Sequence, residues 1–211
     1  MVTTKQTYTL ADYLAFPDEG DLYDILGGTP VLRNVPDVNH GLVVSMLTYL
    51  LVTAQEAGYG KFFSDPHAVA LDFPARGWAA QDVAHPDMFF IRRGREAIWR
   101  GNRVVEGVPD LIVEVRSPST GGEHAPGGRL WDAYQRNGVP YYWVADPRAR
   151  TVVQYELAGP PYRAGRFGAP VILREGDVLR CPLFPDLSLS LERVFRDVLY
   201  RDAAEPPAGA G

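Results

Sequence analysis

The sequence predicts an α/β protein: a mixed β-sheet flanked by helices, with extra hairpins near both ends. Three observations carry this. Met88–Ile91 and Leu111–Val115 are short runs rich in Phe, Ile and Val, too short for helices and apolar enough for strands buried on at least one face. Leu42, Met46, Leu50 and Ala54 recur at helical spacing, with Val43, Leu47 and Leu51 widening the stripe. Finally, Leu111–Val115, a helix over Arg129–Asn137 and a buried strand over Val139–Val144 follow one another in the order of a crossover.

The other elements follow in chain order. Thr9-Leu10-Ala11-Asp12 has the form of a capping box, with Asp for the usual Glu, and starts a short helix ending near Phe16-Pro17. Tyr23–Leu26 and Pro30–Leu32 alternate around Gly27-Gly28 and predict a hairpin. Val38–Gly41 leads into the long helix, which Gly58 and Gly60 close. Phe62–Phe73 is expected as one strand, with a break at Asp65-Pro66, and Pro74–Ala80 as a turn. After the arginine-rich connection Arg92–Gly107 and the second acidic strand, Gly121–Gly128 is a glycine-rich loop. Thr151–Tyr155 pairs back on the strand before it. Val171–Leu173 and Val178–Cys181 are expected as a terminal hairpin around Glu175-Gly176, followed by Leu187–Leu191 and a short helix over Ser190–Val198.

At 211 residues, 46% of them hydrophobic, the chain suits one domain over 1–200, with 201–211 as a flexible tail of Ala, Gly, Pro and Glu. No apolar run is expected to span a membrane, and Met1–Ala11 lacks the apolar core of a secretory signal. Cys181 is the only cysteine, so no intramolecular disulfide forms and a cytoplasmic setting is expected. The net charge of -5 opposes indiscriminate binding to nucleic acid, which needs local positive charge.

Asp87 opens the first apolar run and Glu114 lies near the end of the second, after Asp110. If the two strands are neighbours, the two carboxylates meet at one edge of the sheet. Ionised carboxylates close together repel, so the arrangement calls for a cation or a shared proton. An all-oxygen pair suits Mg²⁺, which takes one or two carboxylates and fills its shell with water and phosphate.

The wording around these acids is specific. Pro86-Asp87, Asp110 through Thr120 (DLIVEVRSPST), Tyr134, Gly138-Val139 and Tyr142-Trp143-Val144-Ala145-Asp146-Pro147 resemble the Uma2 family (DUF820) of restriction-endonuclease-like proteins, of the PD-(D/E)XK nuclease superfamily. The resemblance covers roughly residues 8 to 198. It implies a Mg²⁺-dependent endonuclease, with Mn²⁺ as a substitute, in which metal-activated water attacks a DNA phosphodiester. Asp87 and Glu114 are then the metal-binding acids and the Val115 carbonyl a further ligand. A homodimer, which lets two sites address two strands, is also a family expectation.

Further positions follow from the same resemblance. Asp24 takes the place of the family's Glu in its Tyr-Glu-Leu hairpin; it is either an accessory acid or a strand-face acid paired with an arginine. His40 matches a His-Gly at the helix start, as a phosphate or ligand contact or as a cap. Asp82 recurs before Pro-Asp and is expected to shape a turn, and Asp110 to orient the strand entry. The superfamily lysine two residues after the Glu is Arg116 here. The lysine that Uma2-like sequences carry on the following helix is Leu130, with Arg129 one residue earlier. The only lysines are Lys5 and Lys61. An arginine cannot take a proton from water but can hold a phosphate oxygen, which leaves Arg129 and Arg116 as candidates.

In the connection Arg92–Gly107, Arg92, Arg93, Arg95, Arg100 and Arg103 surround Trp99. They form either a phosphate-gripping, base-stacking surface or a solvated loop whose arginines pair with Glu96 and Glu106. A serine hydrolase on Ser117 or Ser119 lacks the glycine elbow, and a zinc enzyme needs clustered His or Cys where His40, His67, His85 and His124 are scattered. The alternative to a nuclease is a catalytically weakened fold that binds nucleic acid or a protein.

Overall fold

The computed structural model describes residues 7–15, 23–33, 36–99, 104–117 and 122–200. Expectations for the first residues, Arg100, Arg103, Ser119 and the tail at 201–211 therefore fall outside the described residues. The order is α1 (Leu10–Ala15), β1 (Tyr23–Leu26), β2 (Thr29–Leu32), α2 (Val38–Glu56), β3 (Gly60–Ser64), β4 (Ala68–Ala70), α3 (Phe73–Arg76), β5 (Val83–Ala84), β6 (Met88–Arg92), β7 (Val104–Val105) and β8 (Leu111–Val115). Then come α4 (Arg129–Arg136), β9 (Tyr141–Asp146), β10 (Thr151–Ala158), β11 (Arg166–Phe167), β12 (Val171–Arg174), β13 (Val178–Arg180), β14 (Ser188–Ser190) and α5 (Leu191–Phe195).

The main sheet runs β11-β10-β9-β8-β6-β3, with β12 also paired to β10. All its neighbours are antiparallel except β8 and β9, which α4 joins as a parallel crossover. A second sheet runs β2-β1-β5-β4-β7, and β13 pairs with β14. The fold is thus the α/β architecture expected, a mixed sheet with helices on its faces.

Alternation along the central strands builds two cores, because successive side chains point to opposite faces. Met88, Phe90, Leu111, Val113 and Val115 pack with α2 and α5 through Val43, Leu47, Leu51, Val194 and Phe195. Phe89, Ile91 and Ile112 pack with α4 through Ala133 and Tyr134. The register Met88↔Val113 and Phe90↔Leu111 fixes which residues share a face.

Local signals account for the shorter pieces. Thr9 Oγ1 donates to Asp12 Oδ2 at 2.7 Å and Thr9 N–H donates to the same oxygen at 2.8 Å, so the capping box forms with Asp in the Glu position. Gly27 and Gly28 take φ of +59° and +77°, the left-handed values that a two-residue hairpin turn demands. Gly138, at φ +77°, ends α4 so close to the Arg163 backbone that a Cβ would stand 2.2 Å from its carbonyl oxygen.

Four expectations change. The segment 62–73 is two strands in different sheets, separated at the cis peptide Asp65-Pro66, because β3 pairs with β6 and β4 with β5. The segment 74–80 includes helical turns rather than a plain turn. Val171–Arg174 does not form a hairpin with the next strand: it completes the edge of β10, and β13 takes β14 instead. Helix α2 is, by length and composition, apolar enough to cross a membrane, with a mean hydropathy of 1.2. Its inward stripe is His40, Val43, Leu47, Leu50, Leu51 and Ala54, and Leu42 points outward.

Candidate active site

Strands β6 and β8 lie side by side and antiparallel, so the residue before β6 and the residue near the end of β8 meet at one edge. Those residues are Asp87 and Glu114. Both project to the α4 face, in phase with Phe89 and Ile112. Glu114 Oε2 accepts the backbone N–H of Asp87 at 3.3 Å, and Asp87 Oδ2 accepts the backbone N–H of Val115 at 2.7 Å. Both acids and Val115 line a cleft of about 720 Å³.

The cleft lies between the start of α2 and the start of α4. Asp37 caps α2 by accepting the His40 N–H at 2.8 Å, which aims the imidazole so that Nε2 stands 3.1 Å from Asp87 Oδ2. Burial pulls the His40 pKa down, but the bond to Asp87 and that carboxylate's charge outweigh it and hold it above its ordinary value. His40 is thus both capped and in contact with the acid site.

Glu114 is buried, and Tyr134 on α4 donates its hydroxyl to Oε1 at 2.6 Å. Burial, followed by the charge of Asp87, pushes the Glu114 carboxyl well above the usual range. Tyr134 in turn is held well above its ordinary value, first by burial and then by the Glu114 charge, so it remains a donor.

Asp24 reaches the cleft from β1, where the charge of Arg33 also acts on it, and its hydrogen-bond partner is a histidine. Its Oδ1 accepts the His85 backbone N–H and stands 2.9 Å from His85 Nδ1, whose other ring nitrogen stands 2.9 Å from the Tyr13 hydroxyl. Asp82 lies behind it: it accepts the Gly27 N–H at 2.7 Å and pairs with Arg136, which fixes the β1–β2 turn as expected.

The arginines occupy other positions. Arg116, in phase with Glu114, pairs with Asp146 at 2.9 Å and does not line the cleft. Arg129 lines it but is held by Glu123 at 2.6 Å. Lys61 is exposed in mid-strand opposite Ile91.

Asp110 and the arginine connection form a separate cluster. Asp110 precedes β8 and Arg92 ends β6, so they lie a strand's length, roughly 15 Å at 3.3 Å per residue, from the acid pair. Asp110 is fully buried and bound by Arg95 at 2.7 Å, Arg92 at 3.1 Å and the Tyr162 hydroxyl at 2.6 Å. Arg95 also lies 3.6 Å over the Tyr162 ring. Arg92 and Arg95 therefore serve Asp110, and among the described residues no arginine of the loop forms an ion pair with Glu96 or Glu106. Arg93 is exposed at that end, and Trp99 is exposed beside β3, its indole edge-on to Phe63. None of these residues reaches the cleft.

Arg33, His85, His124 and Tyr134 lie outside the site residues that the sequence predicts, yet each lines the cleft or touches an acid that does. Arg33 pairs with Asp65 at the rim. The donor set suits an oxygen-seeking ion. Two carboxylates stand together, one is buried against its own ionisation, and Val115 turns its backbone towards Asp87. Among the described residues no group of three or more His, Cys, Asp or Glu side chains is placed to hold a metal ion; a pair of carboxylates is a donor set that Mg²⁺ accepts when water completes its shell.

Comparisons with known proteins give a family and a fold. A family model for Uma2, described as "Putative restriction endonuclease", matches residues 10–192. A solved structure described as a "putative nuclease belonging to DUF820" from Anabaena variabilis is similar, with a TM-score of 0.70 and 17% identity over 90% of this chain and 99% of that one. At that identity it shows the fold alone. No curated protein matches.

Proposed function

The chain belongs to the Uma2 family, and from that premise we propose that it is a Mg²⁺-dependent endonuclease that hydrolyses phosphodiester bonds in DNA. The observation that carries the reading is the pairing of Asp87 and Glu114 on one face, at an open cleft, with each carboxylate gripping the other strand's backbone. Asp87, Glu114 and the Val115 carbonyl would hold the ion. When bound, Mg²⁺ (or Mn²⁺) supplies an acidified water and charge to offset the phosphoryl oxygens.

The protein's own groups do the rest. His40 orients Asp87 and Tyr134 orients Glu114, so the acids are held in place before any ion arrives. Arg33 offers positive charge on the cleft wall, beside an otherwise acidic pair. A homodimer, with two such clefts facing two strands, belongs to the same proposal and is read out by sedimentation.

One observation favours a second reading, a binding module without turnover. Arg116 and Arg129 are each engaged by an acid, and no lysine is among the residues lining the cleft. One experiment separates the readings. Mg²⁺ and Mn²⁺ are titrated calorimetrically into the wild type and Asp87→Ala, and both proteins are then incubated with supercoiled plasmid. Binding and nicking confined to the wild type support the nuclease. Binding without nicking supports the module, and no heat with either metal removes the metal site.

A further inference from the structure

The cleft holds a histidine that the acid pair does not use. His124 is 5% exposed and lines the same cleft as Asp87, Glu114 and Arg33. Its Nδ1 lies 3.1 Å from the Tyr142 hydroxyl. Tyr142 is wholly buried, its ring packed edge-on against Tyr134 at 5.0 Å, the residue that donates to Glu114. One connected path thus runs from Glu114 through two tyrosines to His124.

This path fixes where the imidazole carries its proton. Among the described residues, Nδ1 of His124 is the one hydrogen-bond partner of the Tyr142 hydroxyl. A buried hydroxyl that fails to donate costs about 1–3 kcal/mol, so Tyr142 donates and Nδ1 accepts. A neutral imidazole then bears its hydrogen on the other nitrogen, Nε2. Burial keeps the ring neutral, pushing its pKa down to about 4. The charges of Asp87, Glu123 and Asp24 oppose this, while Arg116 adds to it. Among the described residues no acceptor pairs with Nε2. Nor is that atom sealed, since the buried side-chain polar atom found without a partner there is Trp131 Nε1. His124 therefore presents a fixed N–H to the cleft.

Resting on the nuclease reading above, we infer that His124 is a further catalytic residue whose Nε2–H donates to a non-bridging oxygen of the scissile phosphate. The two candidate arginines are engaged by Asp146 and Glu123, so this N–H is a donor already aimed at the cleft. A neutral donor also binds a phosphoryl oxygen without drawing the two carboxylates towards itself, as a second cation in the cleft would.

Two measurements test it. In the ¹⁵N-histidine-labelled chain, long-range ¹H–¹⁵N spectra between about pH 5.5 and 8 should show one neutral ring protonated at Nε2, missing from His124→Ala and altered in Tyr142→Phe. An Nδ1-protonated or charged ring overturns the assignment. In plasmid nicking, His124→Ala should lower kcat on the order of 10²-fold with Mg²⁺ affinity by calorimetry unchanged. His124→Gln, which returns an N–H to the same depth, should recover part of the loss. If the wild type nicks and His124→Ala nicks equally, or if His124→Ala loses metal binding along with activity, His124 is not the donor and the nuclease reading stands. A wild type that neither binds metal nor nicks removes that reading, and the catalytic role with it.

Discussion

Glu114 accepts the backbone N–H of Asp87 at 3.3 Å, while Asp87 accepts the N–H of the residue after Glu114 at 2.7 Å. The two acids are therefore stitched into each other's strands. Asp87→Ala should abolish Mg²⁺ binding and also lower stability by about 1–3 kcal/mol, because the Val115 N–H loses its acceptor. Asp87→Asn, which keeps an oxygen there, should lose the metal with a smaller stability cost. Calorimetry with chemical denaturation separates the two effects; equal destabilisation by both variants contradicts the backbone role.

Tyr134 supplies the hydroxyl that Glu114 Oε1 accepts in a buried site. Tyr134→Phe should destabilise by about 1–3 kcal/mol, since a buried carboxylate oxygen loses its partner. Metal affinity at neutral pH should fall as well, because the variant makes ionised Glu114 harder to sustain. Unchanged affinity would mean that Tyr134 only packs.

The carboxyl of Glu114 is held above its ordinary 4.5 by burial and by Asp87. The folded state therefore binds this proton more tightly than the unfolded chain does. The associated stability is fully present below 4.5 and is lost as pH rises through the folded value. His40, also raised, acts in the same direction at higher pH. Melting temperature in EDTA should decline as pH rises above 4.5, less steeply in Glu114→Gln. Mg²⁺ should offset the decline in the wild type alone. Parallel profiles for the two proteins would count against it.

At the other end of the same strands, Asp110 is buried under Arg95, Arg92 and Tyr162. Arg95→Ala should cost about 1.5–3 kcal/mol, the range for hydrogen bonds to charged groups, without changing Mg²⁺ affinity. A weakened metal site in this variant would show that the two ends are coupled.

Much of this was legible from local chemistry. The capping box at Thr9 and Asp12, the Gly27-Gly28 turn and the acidic strand ends depend on neighbours in sequence, and all formed where expected. What was not legible depends on strand order. His85 reaches Asp24 only because β5 pairs with β1, and His124 reaches the cleft only because Tyr142 lies on the strand beside β8. No periodicity encodes such meetings. Asp110 looked close to Glu114 in sequence, but the length of β8 carries it to the other end. The stripe on α2 follows the apolar spacing, with Val43, Leu47, Leu50, Leu51 and Ala54 buried, and only Leu42, apolar yet outward-facing, departs from it.

The pairing of Met88 with Val113 determines more than packing. Slide β8 past β6 by a single residue and its side chains change sides: Glu114 would turn into the core beneath α2 and the acids would part at the same stroke. Exchanging one carboxylate would remove the proposed metal chemistry and leave that alignment intact. Variants that lack either acid should therefore keep the outline of the cleft, like a lock whose pins have been filed while its barrel still turns.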